Sequence, residues 1–226
     1  MEVSGDGPDR RRGRYWMLFG ASVVLIAATP MLPDGPVMAL GRPVLRAVVL
    51  LGGLLAVWRR TRVGGLVAVL ITLALAASVM DAAADLGGAD VLVDVLGFIA
   101  LGAIGTAIML DILRAERVST DTLFAAACVY LVMGLWWGKL HLLLEWAMPG
   151  SYELGLPAGA TADDVDQVLT YFSFVTLSTL GYGDVLPASP AARNLASLQA
   201  LMGQLYVAIL VARLVGLHMR DREASR

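Results

Sequence analysis

The stretch Thr176-Leu-Ser-Thr-Leu-Gly-Tyr-Gly-Asp184 is where residue types and spacing could do chemistry. Gly181 and Gly183 alternate with larger residues, and glycine takes backbone angles closed to other residues. In an extended segment that alternation lets successive carbonyls turn to one side and line a path. Thr179 adds a hydroxyl at the inner end of the row. Rings of such oxygens can replace the water shell of a dehydrated monovalent cation.

A short extended loop of this kind needs a rigid frame, and the composition says what the frame is. The chain has 226 residues, 58% hydrophobic and only 16% charged, with a net charge of −2. That excludes an ordinary soluble domain. A bilayer core about 30 Å thick takes about 20 apolar helical residues per span, and six segments come near that length. We therefore expect an all-α membrane protein, with six transmembrane helices plus a re-entrant pore helix and a selectivity filter. The spans are expected near residues 15–32, 43–58, 63–80, 91–113, 122–148 and 193–219. A half-length apolar helix at about 165–177, too short to cross, leads into the loop; Asp163, Asp164 and Asp166 suit its positive N-terminal end. Pro187 and Pro190 break the chain before the last span.

Charge sets the orientation. Arg10, Arg11, Arg12 and Arg14 crowd against the first span, and Arg59, Arg60 and Arg62 follow the second. Of the 17 Lys and Arg, only Arg42, Arg46, Lys139 and Arg193 fall on the outer side or in outer halves. The positive-inside rule then predicts a multi-pass cell-membrane protein with both termini cytoplasmic. The expected divisions are a cytoplasmic segment at 1–14, a four-helix membrane domain at 15–118, a pore domain at 119–219 and a short cytoplasmic tail at 220–226. The first apolar run is followed by Pro33-Asp-Gly-Pro36 and not by a small-x-small cleavage site, so it reads as a retained span. Between Asp94 and Asp111 there is no charge, so the fourth span lacks the spaced basic residues that carry gating charge. The one cysteine, Cys128, sits in an apolar run and reads as a small buried residue. Lys139, His141 and Glu145 in the fifth span are expected to face protein or water. Arg213 is expected to turn toward headgroups or toward Asp111, Glu116 or Asp121.

Thr179-Leu-Gly-Tyr-Gly-Asp184, preceded by Ser178 and Thr176, resembles the signature of the potassium-channel family, and the resemblance extends from about Thr122 to Met219. Leu180 stands where valine or isoleucine is usual, and Ser178 where threonine is usual. The resemblance implies passive K+ conduction with no catalysis, no cofactor beyond the permeant ion, and no nucleic acid. One motif per chain implies a homotetramer in membrane lipid. It also implies that K+ is held by the carbonyls of Thr179, Leu180, Gly181 and Tyr182 and the Thr179 hydroxyl, with Tyr182 packed against Tyr171 and Phe172. Gly183 and Asp184 complete the filter, with Asp184 hydrogen-bonded behind its mouth beside Glu145 or Trp146. Related channels commonly carry a glycine where Gly203 stands, as a hinge of the inner helix. Helical spacing places Gln204, Val207, Val211 and Val215 on one face, as a polar ring and an apolar constriction able to gate by dewetting. The other reading of these valines is packing against the fifth span.

Two other functions compete. An intramembrane aspartyl protease also has a Gly-x-Gly-Asp element, with Asp111 as the nearest second aspartate. Asp111 and Asp184 fall on opposite sides by the charge count, and carboxylates so separated cannot share a proton. A non-conducting membrane scaffold is the other alternative, against which the intact ligand residues argue. Candidate stimuli are lipid, tension, pH through His141 or His218, and a gate in the filter itself.

Overall fold

In a computed structural model of the chain, the described residues are 15–28, 89–115 and 119–224, with scattered helical positions between 48 and 76. The elements are α1 (Tyr15–Ala28), α2 (Ala89–Arg114), α3 (Thr120–Ala147), β1 (Tyr152–Glu153), α4 (Ala162–Leu177), β2 (Leu186–Pro187) and α5 (Pro190–Ala224). The architecture is mostly helical. Among the described residues, three helical stretches are long and apolar enough to cross a membrane: Val91–Arg114, Thr120–Ala147 and Pro190–Arg213. The apolar part of α1, Leu18–Ala27, is shorter. The second and third expected spans lie largely outside the described residues.

Helix ends follow local chemistry. Ser119 caps α3 by accepting from the Thr122 amide at 3.1 Å, supplying one of the partners that a first helical turn lacks. Thr161 and Asp164 form a reciprocal capping box at the start of α4, which satisfies two amides at once. Pro190 begins α5, where its missing N–H is harmless and its fixed φ is helical. The Ser189 hydroxyl accepts from the Ala192 amide at 3.1 Å.

Packing runs outward from α3. The helix lies against α1 and α2 in a core that includes Leu18, Ile104, Ile108, Cys128 and Val132. Cys128 is buried there, as its apolar surroundings suggested, and its thiol donates to the Tyr15 carbonyl at 3.2 Å. Gly102 and Gly105 of α2 face Trp136 and Val132, and Phe98 stacks on Trp136 at 4.8 Å. On its other side α3 carries α4. The sites of contact descend antiparallel: Lys139 to Asp166, Gly138 to Thr170, Gly134 to Ser173 and Phe174, and Tyr130 to Leu177. Positions 138, 134 and 130 recur every four residues, so they line one face of α3. Any side chain at Gly134 would overlap the Phe174 ring, so glycine there is what lets α4 lie so close.

The antiparallel pair β1–β2 closes the segment between α3 and α5 around α4, with Tyr152 opposite Pro187 and Glu153 opposite Leu186. Under it lies a second core of Leu142, Tyr152, Leu169, Phe172, Val185 and Ala192.

Candidate functional site

The loop after α4 is stitched to the end of that helix. The Ser178 amide donates to the Phe174 carbonyl at 3.0 Å and the Thr179 amide to the Thr176 carbonyl at 3.0 Å. The amides of Leu180 and Gly181 both donate to the Val175 carbonyl, at 2.9 and 3.4 Å. No peptide bond here is cis. In a trans peptide the carbonyl points opposite to the N–H of the next residue. Two N–H groups turned back to Val175 therefore turn the carbonyls of Thr179 and Leu180 away from α4.

Backbone angles show the same alternation. Thr179, Gly181 and Gly183 have φ of 59°, 59° and 80°, while Leu180 and Tyr182 between them do not enter that region. For a β-branched residue such a φ is strained by about 1–3 kcal/mol. Thr179 is held there by its own bonds: its hydroxyl donates to the Ser178 carbonyl at 2.7 Å and accepts from Gln204 Nε2 at 3.3 Å. Gln204 thus lies beneath the loop. Ser178 points its hydroxyl at the carbonyls of Phe174 and Val175.

Asp184 is held by Tyr171, whose hydroxyl donates to Oδ2 at 2.7 Å, and by the Val185 amide at 3.2 Å. This corrects the expected neighbour. Glu145 instead accepts from the amides of Gly150 at 2.7 Å and Tyr152 at 3.1 Å, shaping the turn after α3. The hydrogen bond to the Asp184 carboxylate pushes the Tyr171 phenol up to about 12. Phe172 also differs from expectation. It packs inward, 5.1 Å from the His141 ring and 5.6 Å from that of Tyr152. Tyr182 is left 68% exposed, so the expected aromatic cuff does not close within one chain.

Behind α4 lies a polar network that sequence reasoning missed. His141 is fully buried, with Nδ1 2.6 Å from the Tyr152 hydroxyl and Nε2 2.7 Å from Gln199 Oε1. Gln199 Nε2 donates to the Ser173 carbonyl at 2.9 Å and hydroxyl at 2.7 Å, and that hydroxyl donates to the Gly134 carbonyl at 2.6 Å. The amide oxygen of Gln199 can only accept, so the proton of neutral His141 sits on Nε2 and the Tyr152 hydroxyl donates to Nδ1. Burial, then the Glu145 charge, raises the Tyr152 phenol, which keeps it a donor. Every group in the chain from Tyr152 to Gly134 is satisfied. The signal was present as Gln199 and Ser173, polar residues in otherwise apolar helices.

Gly203 has a visible reason. A side chain there would collide with the Leu177 carbonyl, and α5 continues as helix through the position. Its observed role is close approach of α5 to the end of α4. Val207, Val211 and Val215 are exposed in the single chain. Arg213, on the opposite face of α5 from Val211 and Val215, donates to the carbonyls of Leu113 at 2.7 Å and Ala115 at 3.1 Å. It caps the end of α2; Glu116, one of the carboxylates expected for it, lies outside the described residues. Asp111 accepts from the Tyr15 hydroxyl at 2.9 Å.

Residues 168–219 match a protein family described as ion channel. The chain is also 41% identical over 69 residues to the two pore potassium channel c of Oryza sativa subsp. japonica. That alignment covers 30% of this chain and 14% of the rice protein. Both matches are to channels and neither is to an enzyme.

Proposed function

We propose that this chain, whose residues 168–219 carry the ion-channel segment, is one subunit of a potassium-selective channel that conducts K+ passively. The observation that carries the reading is the pair of amides, Leu180 and Gly181, turned back to the Val175 carbonyl. They free the carbonyls of Thr179 and Leu180 to face one side, and the positive φ at Gly181 and Gly183 continues the pattern. Four such loops around an axis would form stacked rings of oxygen for a dehydrated cation. The negative end of α4 ends at the same place and favours a cation there.

The six-span layout, with α4 as a re-entrant helix, fits this reading. At 16 residues, α4 is about 24 Å long and cannot cross a core of about 30 Å. Antiparallel to α3, it returns toward the side on which α3 begins. A homotetramer explains the surfaces left bare in one chain: Leu180 and Tyr182 in the loop, and Leu201, Leu205 and Ile209 on α5, all more than half exposed. In this arrangement Tyr182 would complete its packing on a neighbouring subunit. The arginine distribution supports termini on the cytoplasmic side of a cell membrane. Neither alternative gains support: Asp111 and Asp184 are each engaged by a separate tyrosine.

The test is flux from liposomes holding the purified full chain, with K+ compared against Na+ and barium as blocker. We expect K+ flux that barium stops and little Na+ flux. Equal passage of both ions would reject selectivity, and no flux under any condition would favour the scaffold.

A further inference from the structure

The ammonium of Lys139 on α3 is shared between two other helices. It lies 2.6 Å from Oδ1 of Asp94 on α2 and 2.7 Å from Oδ1 of Asp166 on α4. The three side chains are 12%, 9% and 13% exposed, respectively. An ammonium is a compact charge with three donors, able to serve two carboxylates at once. Two carboxylates at this depth repel unless a cation stands between them, and removing one partner of a buried pair leaves an uncompensated charge.

The position of Asp166 gives this cluster leverage. Eleven residues of continuous helix separate it from Leu177, a rigid rod of about 16 Å. The rod rests on α3 at Gly138 and Gly134, where bare glycine backbone leaves no slack. Its far end holds the filter amides through Val175 and abuts Gly203 of α5. A shift at Asp166 therefore tilts α4 about its glycine contacts and moves the carbonyl that orients Thr179 and Leu180. Since the ammonium also holds α2, displacement of α2 is delivered to the same rod.

Resting on the channel reading, we infer that Lys139 is a positioning residue of the filter, and that α2 bears on filter geometry through the Asp94–Lys139–Asp166 cluster. The experiment compares wild type, Lys139→Met and Asp94→Asn, each as the assembled full chain in liposomes, by K+ to Na+ flux ratio and barium sensitivity. Hydrogen exchange of the amides of residues 166–181 is measured on the same samples. We expect Lys139→Met to lower the flux ratio about tenfold, since the cation shared by Asp94 and Asp166 is removed, and to reduce protection toward the end of α4. Asp94→Asn, which keeps the Lys139–Asp166 pair, is expected to change flux and protection in the same sense but less. A Lys139→Met protein with wild-type ratio and protection would overturn the inference, and Asp94→Asn identical to wild type would overturn the link to α2.

Should Lys139→Met fail to assemble, the variant carrying Lys139→Met, Asp94→Asn and Asp166→Asn together removes all three charges of the cluster and takes its place. A wild-type ratio and wild-type protection in it would also overturn the inference. If wild-type vesicles pass K+ and Na+ equally, the channel reading fails by itself. Hydrogen exchange then decides on Lys139: reduced protection across residues 166–181 supports its positioning role, and unchanged protection removes it.

Discussion

A single methyl group is enough to test how closely the filter is backed. Gly203→Ala would drive a Cβ into the Leu177 carbonyl, and backbone cannot swing aside as a flexible side chain can. Overpacking of this kind costs about 1–3 kcal/mol, and here the displaced atoms adjoin the filter. We expect reduced K+ flux from assembled Gly203→Ala protein, whereas a pure hinge role would change opening and leave the filter's barium block intact. Tyr171 permits a test by pH. Its phenol, raised by the bond to Asp184, stays protonated up to about 12, against about 10 for a free tyrosine. The clamp on Asp184 is thus fully present below pH 10 and is lost as pH rises toward 12. Barium block should be flat from pH 7 to 10 as far as this clamp is concerned, then weaken, and Tyr171→Phe should weaken it at neutral pH and abolish the alkaline phase.

At the scale of elements, α4 depends on its ends as much as on its face. Loss of the Thr161 cap through Thr161→Ala should destabilise the helix by about 1 kcal/mol, read as a lower unfolding temperature with filter selectivity retained. Gln199 is different, because its amide joins α3, α4 and α5 through His141 and Ser173. Gln199→Leu leaves buried partners on His141 and Ser173 unsatisfied, a loss of about 1–3 kcal/mol for each orphaned group. We expect a larger fall in stability than Thr161→Ala causes, measured by thermal unfolding in detergent. On the inner half of α5, Val211→Ser or Val215→Ser should raise resting K+ flux if the valines form a dewetting constriction; unchanged flux would remove them as a gate.

For the whole molecule, the proposed pore needs four chains around one axis. Size measurement of the purified protein should return four copies, and a chain that stays monomeric while conducting selectively would contradict the proposed pore. The uncharged run from Asp94 to Asp111 bears on the same scale. A helix without gating charge gains nothing from the membrane potential, so opening should vary only weakly with an imposed voltage once the driving force on K+ is allowed for.

The sequence by itself determined the helical membrane character, the filter motif and the limits of the last elements, because apolar length, prolines, caps and glycine spacing are local signals. Span six was expected at 193–219 and α5 runs from 190 to 224; the half-helix was expected at 165–177 and α4 runs from 162 to 177. Partner choice was beyond it. Glu145 and Trp146 were the expected neighbours of Asp184, and only the fold brought Tyr171 there, because Glu145 is drawn to two amides of its own turn. Gly203 read as a hinge from its position alone, and the fold adds the Leu177 carbonyl packed against it. Gln199, Ser173 and Lys139 gained their roles from residues 26 to 58 positions away, a distance at which no periodicity in the chain speaks. In the filter itself, residue types made carbonyl rings conceivable, and it was the return of two amides to Val175 that gave those carbonyls a direction.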